Sequence, residues 1–221
     1  MSGALAAFFD PVALAIVALG TALATFARCS PGDLTLAMRG VRDLALPGFD
    51  EDANRAALAR MVPEVRERGP LCADVAEPPD PELATLMHRY LSKGMIEIAL
   101  NEARLGRSRR ENEAERAVLV FENAGELAPV FGLVGTLIGI AQLMPVQDLS
   151  ENAITLSAVG SAVLSTLYGV ILAHLICVPL ARRIERRLAN EEHARAHLLE
   201  WFAAEVERGR PTTPTRLRDA A

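Results

Sequence analysis

The 221-residue sequence has few aromatic residues and few cysteines, and three long stretches of it have no charge. Phe, Trp and Tyr make up 5% of the residues although 51% are hydrophobic. The apolar content is therefore mostly aliphatic and small, which suits packed helices better than sheets. The three cysteines lie far apart with no CxxC spacing, so neither a zinc site nor a disulfide framework is indicated. We predict an all-α protein.

Motifs of catalysis and of cofactor binding are also missing. The sequence has no GxGxxG, Walker A or GxSxG motif and no pair of carboxylates at catalytic spacing. His193 and His197 have the spacing of a zinc-binding HExxH helix, but Ala194 stands where that motif needs its glutamate. A solvated helix face is the better interpretation of these histidines. We therefore predict no enzyme, no metal site and no cofactor.

Three uncharged apolar stretches are each long enough to cross a bilayer. The first, residues 11–27, follows Asp10–Pro11, a good N-cap and a good first helical residue. The second, residues 127–147, spans about 31 Å as a helix. The third covers residues 152–181 and contains His174. We predict three transmembrane helices. A cleaved signal peptide is the weaker interpretation of the first, because residues 1–9 contain no Lys or Arg.

Basic residues predict the orientation of these spans. Arginines follow the first span and the third, whereas the short loop at 148–151 offers only Asp148 and Glu151. Because Lys and Arg favour the cytoplasmic side, residues 1–30 form a periplasmic N-terminus with the first span. Residues 31–126 then form a cytoplasmic helical domain, residues 182–208 a cytoplasmic helix and residues 209–221 a disordered tail. The arginines are Arg28, Arg39, Arg42, Arg182, Arg183, Arg186 and Arg187.

Hydrophobic periodicity predicts helices in the cytoplasmic part. One begins at Asp80–Pro81 and ends near Gly94. The segment after Gly106 has no breaker until Gly125, so we expect it to continue into the second span as one long helix. The C-terminal helix has an apolar stripe that is interrupted at residues 191–195. It is expected to pack against the other cytoplasmic helices.

No Asp, Glu, Lys or Arg lies within the spans, although proton transfer through a membrane normally uses an ionisable group. The spans offer hydroxyls and small residues instead. Thr136 follows Pro129 by seven residues on the same helix face, where proline weakens the backbone ladder and polar groups are able to line a pore. His174 is either a neutral histidine near the interface or a proton relay. Close helix packing is the favoured role of Gly132, Gly135, Gly139 and Gly169.

Two segments of the spans resemble a known family. ELAPVFGLVGTLIGIAQLM followed by STLYGVILAHLICVPLARRI is similar to the last two transmembrane helices of MotA, in the MotA/TolQ/ExbB proton channel family. FDPVALAIVALGTALATF with PGDLTLAMRGV resembles the second MotA helix and its cytoplasmic exit. The resemblance covers roughly residues 8–208 and implies a stator subunit shortened to three transmembrane helices.

The resemblance implies a pentamer of this chain around two copies of a MotB-like or ExbD-like protein, whose single span supplies a proton-binding aspartate. It also implies pore roles for Pro129, Thr136 and Thr166, and it matches Pro179 to the second functional proline of the family. Arg66 and Asp74 match charged residues that MotA presents to the rotor protein FliG. The unit is expected in a bacterial inner membrane, where it couples ion flow to mechanical work.

Three departures keep alternatives open. A three-span count is typical of TolQ and ExbB, which transduce energy to the cell envelope. Ser161, however, stands where those proteins have an acidic residue, and this favours MotA. His174 replaces an asparagine that is common in flagellar chains. A membrane scaffold without ion flux is the alternative from another class, and the sequence does not choose between proton and sodium.

Overall fold

The structure is a computed structural model that describes residues 9–73, 75–141 and 152–208. Every regular element in these ranges is helical, which confirms the all-α prediction. The loop predicted at 148–151, the tail at 209–221 and Asp74 lie outside the described residues. The helices are α1 (Pro11–Arg28), α2 (Pro31–Leu44), α3 (Glu51–Arg68), α4 (Pro81–Lys93), α5 (Ile96–Ala141), α6 (Asn152–Ile171) and α7 (Val178–Arg208), with a π-helical segment at Leu172–Cys177 between the last two.

The first helices begin at the residues that their local chemistry predicts. Asp10 caps α1, since its carboxylate accepts hydrogen bonds from the backbone N–H groups of Val12 and Ala13 at 2.9 and 3.2 Å. Ser30 and Asp33 form a reciprocal capping box at the start of α2. Only two residues separate α1 from α2, so the chain enters the second helix almost directly from the first.

Helix α4 confirms the helix predicted between Asp80 and Gly94. The Asp80 carboxylate accepts a hydrogen bond from the N–H of Leu83 at 3.0 Å. Gly94 ends the helix in the left-handed conformation at φ 71°, which costs glycine no steric penalty. The next helix starts two residues later, at Ile96.

Helix α5 runs unbroken through 46 residues and confirms the prediction of one long helix. It includes Gly106 and Gly125 as well as Pro129, and it begins at Ile96, eleven residues before the segment in which the sequence predicts it. Three helical segments are long and apolar enough to cross a membrane, and they are Pro11–Arg28, Ile96–Ala141 and Val159–Arg208.

The chain divides into two compact units. One contains Met1–Leu46 and Glu111–Arg187, and in it α1 packs along α6. The other contains Pro47–Arg110 and Leu188–Ala221. The core of this second unit is a cluster of aliphatic and aromatic side chains around Tyr90 and Phe202, whose rings meet edge to face at 5.8 Å.

The π-helical segment keeps one face of the third span buried. Buried small residues recur at intervals of four, at Ser165, Gly169, Ala173, Cys177 and Ala181. In an α-helix each step of four residues turns the face by about 40° too far. The π-helix has more residues per turn and corrects this drift in the middle of the stripe. Ser165 and Ala181 therefore stay on the same side of the span.

Candidate functional site

Helices α5 and α6 meet in a seam where only small residues fit. A Cβ atom added at Gly169 would lie 2.6 Å from the carbonyl oxygen of Ala128, and one added at Gly132 would lie 2.9 Å from that of Ser165. A Cβ atom added at Gly135 would likewise lie 2.7 Å from the Cβ atom of Ser165. These distances are shorter than any van der Waals contact of a side chain, so the two backbones touch. Gly139, one turn further along α5, is only partly buried.

Ser165 ties the seam together with hydrogen bonds. Its hydroxyl oxygen lies 3.1 Å from the carbonyl oxygen of Gly132 and 2.8 Å from that of Ala162 in its own helix. The side chain is fully buried. No role is predicted for Ser165 from the sequence, although the four-residue spacing of small residues from Ser165 to Ala181 is a signal that marks it.

Thr136 and Thr166 lie on the two sides of this seam. Thr136 is one turn after Gly132, and its hydroxyl donates to the Leu133 carbonyl at 2.6 Å. Thr166 follows Ser165, and its Cα lies 3.1 Å from the position of a Cβ at Gly132. Pro129 is at the same contact, with its Cα 3.1 Å from a Cβ at Gly169. The fold therefore gathers the proline and the threonines of the predicted pore around one helix contact.

His174 lies within the π-helical segment, and Pro179 follows that segment in the first turn of α7. The His174 side chain is exposed and lies outside the buried stripe. Pro179 is half-buried. π-Helical turns often occur at functional sites, because they displace side chains from regular helical positions.

At the other end of the third span, Asp10 joins α1 to α6. Its carboxylate accepts a hydrogen bond from the Ser161 hydroxyl, and its backbone N–H donates to the Tyr168 hydroxyl oxygen at 2.9 Å. The Ser161 hydrogen bond, assisted by the backbone N–H groups of α1, holds the pKa of Asp10 below its ordinary value. Asp10 is thus a charged group beside Ser161.

The predicted rotor contact is described for only one of its residues, because Asp74 lies outside the described range. Arg66 forms an ion pair with Glu205 at 2.8 Å and also donates to the Glu205 backbone carbonyl. The side chain is about one-third exposed.

The second unit contains a buried ionic cluster that is not predicted from the sequence. Arg195 pairs with Asp80 at 3.1 Å and with Glu192 at 2.8 Å. Arg110 holds Glu192 through two hydrogen bonds, at 2.7 and 2.9 Å, and also pairs with Glu82. Burial raises the pKa of Glu82, and Glu192 and Asp80 reinforce this effect against the neighbouring arginines. Glu192 and Arg195 fall at residues 191–195, where the apolar stripe of the C-terminal helix is interrupted. This interruption by charged residues is the sequence signal for the cluster.

The fold defines a helical membrane protein in which two spans meet through a glycine and serine seam lined with hydroxyls. A family model described as the MotA/TolQ/ExbB proton channel family matches residues 83–197, more than half of the chain. The chain belongs to this family.

Curated relatives match over part of their length. Motility protein A of Aquifex aeolicus is 27% identical over 107 residues, which are 48% of this chain and 41% of that protein. The protein YtxD of Bacillus subtilis is 35% identical over 95 residues, 43% of this chain and 31% of its own. The chemotaxis protein PomA of Vibrio alginolyticus is 33% identical over 85 residues, 38% of this chain and 33% of its own. The matched part of this chain thus spans less than half of each relative.

Solved structures share the fold over nearly the whole chain. The structure of C. jejuni MotAB has a TM-score of 0.78 and 14% identity, and the match covers 96% of this chain and 89% of that one. The flagellar MotAB stator complex from Bacillus subtilis also has a TM-score of 0.78, with 19% identity and coverage of 91% and 80%. At these identities the similarity establishes the fold.

Proposed function

We propose that this chain is the wall-forming subunit of a proton channel, which converts ion flow into movement of a partner protein in the bacterial inner membrane. The observation that carries the proposal is the seam between α5 and α6. It brings Pro129, Thr136 and Thr166 to one helix contact in a charge-free part of two spans. Hydroxyl groups at this place are able to coordinate an ion in place of water. Because they carry no charge, they do not bind it so tightly that it cannot leave.

The proposal requires a carboxylate from another protein. No Asp, Glu, Lys or Arg lies in residues 11–27, 127–147 or 152–181, so this chain does not provide a relay group there. A MotB-like or ExbD-like partner with one span and one aspartate would supply it. We propose the stoichiometry of five copies of this chain around two of the partner, with the N-terminus periplasmic and the C-terminus cytoplasmic.

Within this assembly the partner aspartate takes up a proton beside Thr136 and Thr166, and its neutralisation changes the position of the partner in the ring. The free energy available is about 2.3 kcal/mol per charge for each 100 mV of membrane potential. His174 and Pro179 lie further along the same span, toward the arginines. We assign them to the exit of the pathway.

The mechanical load is a second part of the proposal. A FliG-like rotor protein would contact Arg66 and Asp74, and an envelope protein would be the load in a TolQ-like or ExbB-like unit. The described contact of Arg66 with Glu205 favours a structural role for this arginine, since a rotor carboxylate would have to compete with that ion pair.

Proton flux into vesicles that contain this chain and a MotB-like or ExbD-like partner protein tests the channel. Thr166→Val keeps the shape of the side chain and removes the hydroxyl. It should lower the flux to the level of a complex in which the partner aspartate is changed to asparagine. Full flux in Thr166→Val vesicles would remove this residue from the pathway.

Thr21→Val is the matched control. Thr21 is a buried threonine of α1 whose hydroxyl has no hydrogen-bond partner in the described part of the chain, so its loss should leave the flux unchanged. The absence of any cation flux in wild-type vesicles would support a scaffold and contradict the channel. Flux of sodium without protons would retain the channel and change its ion.

A further inference from the structure

We propose that α2 and the beginning of α7 form a binding surface for anionic phospholipid headgroups. We call it the α2 surface, made of Met38, Arg39, Val41, Arg42 and Arg183. It goes beyond ion conduction, because it concerns what holds the subunit to the inner leaflet of the membrane.

The position of α2 along the spans is the first argument. Pro31, its first residue, follows the end of α1 at Arg28 by three positions. Gly40, in its second half, packs on Ile184, since a Cβ added at Gly40 would lie 3.0 Å from Ile184 Cδ1. Ile184 is three residues, or about 4.5 Å of helix, beyond the last uncharged residue of the third span. Both ends of this helix thus lie at the level where the headgroup layer begins.

The division of α2 into two faces is the second argument. Ala37 is buried against α5, in a cluster with Ala117 and Val120. Met38, about 100° around the helix from Ala37, is 74% exposed, and Val41, at the edge of the buried face, is 37% exposed. On a helix at the membrane surface, exposed apolar side chains insert at the boundary between headgroups and acyl chains, where their burial is favourable.

The charge of the exposed face is the third argument. Arg39 and Arg42 lie on it at a spacing of three residues, which places them on one side of the helix. Arg183 adjoins Ile184 at the crossing of α2 with α7. Arg39 and Arg183 form no ion pair within the described residues, and Arg42 has only an exposed contact of 3.4 Å with Asp43. The other acidic residue of α2, Asp33, is held by Arg116 at 2.6 Å.

Arg187 fixes this arrangement. Its guanidinium donates to the backbone carbonyls of Asp43 and Leu46, the latter at 3.0 Å, and so binds the end of α2 to α7. The surface therefore presents guanidinium groups beside apolar side chains at the depth of lipid phosphates. Arginine suits this ligand, because its planar group binds phosphate oxygens in pairs.

Quenching by brominated lipids tests the proposal in the full chain. Met38→Cys is labelled with bimane in a background of Cys29→Ser, Cys72→Ser and Cys177→Ala, and the protein is placed in nanodiscs of phosphatidylcholine with a minor fraction of phosphatidylglycerol. Bromine is carried on one lipid or the other. We expect phosphatidylglycerol to quench more per molecule, by about fivefold for each arginine that contributes.

The variant Arg39→Gln with Arg183→Gln should lose this preference. The matched control is Arg60→Gln with Arg104→Gln, which removes two exposed arginines of the other unit, neither of them in an ion pair within the described residues, and should keep the preference. A second probe at Thr35→Cys, on the same exposed face, carries the test if the Met38 variant does not assemble. Equal quenching by both lipids would overturn headgroup recognition. No quenching by either would overturn the proposal in favour of a protein neighbour.

Discussion

The guanidinium of Arg195 lies 3.1 Å from the carboxylate of Asp80, the residue that caps α4. Both side chains are nearly buried, with 12% and 9% of their surface exposed. Arg195 also stands over the ring of Phe49, with its central carbon 5.1 Å from the ring centroid. One arginine of α7 thus holds the start of α4 and the aromatic ring before α3, which makes it the central tie of the second unit.

Replacement of Arg195 by methionine should destabilise this unit severely. It leaves the carboxylates of Asp80 and Glu192 buried with less compensation, and breaking a buried pair in this way costs about 3–5 kcal/mol. Unfolding in detergent is followed by the fluorescence of Trp201, the single tryptophan, which packs against the core of the same unit. We expect its melting temperature to fall by on the order of 10 °C or more.

Arg68→Met is the control for this prediction. Arg68 pairs with Glu64 at 3.4 Å on the surface, where such a pair contributes at most about 1 kcal/mol. An equal loss of stability in the two variants would show that the Arg195 cluster is not the tie described above.

Replacement of Gly169 by alanine should disrupt the seam between α5 and α6. The new methyl group would meet the Ala128 carbonyl oxygen at 2.6 Å, and a backbone atom is unable to move aside without shifting the helix. Overpacking of this kind costs about 1–3 kcal/mol. The fraction of protein that remains monodisperse in size-exclusion chromatography after heating measures the loss.

Gly160→Ala tests the same substitution in the same helix without the contact. Outside its own helix backbone, a Cβ added at Gly160 would meet no heavy atom of the described residues within 4 Å, so alanine should be neutral there or should stabilise the helix by up to about 1 kcal/mol. If Gly160→Ala and Gly169→Ala lose stability equally, the close approach of the two helices is not what Gly169 provides.

Local features of the fold are predictable from the sequence, whereas features that depend on packing between helices are not. The caps at Asp10 and Asp80 and the continuity of α5 are local properties, so spacing and residue type are sufficient to predict them. The π-helical segment around His174 is not local, because it arises from the need to keep Ser165 and Ala181 on one buried face. The Arg195 cluster is likewise beyond periodicity, since its partners Asp80 and Arg110 come from other helices.

The pH dependence of stability should reveal the cost of burying the ionised Glu82 carboxyl group. Burial raises the pKa of this carboxyl above its ordinary value of 4.5, so the folded state holds the proton more tightly than the unfolded state does. The stability that this group contributes is therefore fully present below its ordinary value and is lost as the pH rises through the raised pKa. Glu82→Gln should melt like wild type at pH 4 and at a higher temperature than wild type at pH 7.

Glu67→Gln serves as the control for Glu82, because Glu67 is exposed on α3 and its substitution removes the same charge. Its melting temperature should follow that of wild type at both pH values. A lower melting temperature of Glu82→Gln at pH 7 would mean that the ion pair with Arg110 outweighs the cost of burial.

The junction of α1 with α6 gives a final prediction, in which Asp10 has two separable roles. Its carboxylate caps α1 and accepts from Ser161, whereas its backbone N–H donates to Tyr168. Tyr168→Phe removes the hydrogen bond from the Asp10 backbone N–H and should cost about 1 kcal/mol at every pH, since a backbone N–H does not titrate. Asp10→Ala removes a cap, worth about 1 kcal/mol, and the bond to Ser161 as well.

The two variants should separate as the pH falls. Because the pKa of Asp10 is lowered in the folded state, the stability that its charge contributes is present above its ordinary value of 3.8 and is lost below it. The deficit of Asp10→Ala should therefore shrink between pH 5 and pH 3, while that of Tyr168→Phe stays constant, as measured by thermal unfolding in detergent. A deficit of Asp10→Ala that persists unchanged at pH 3 would assign its effect to packing and not to the carboxylate.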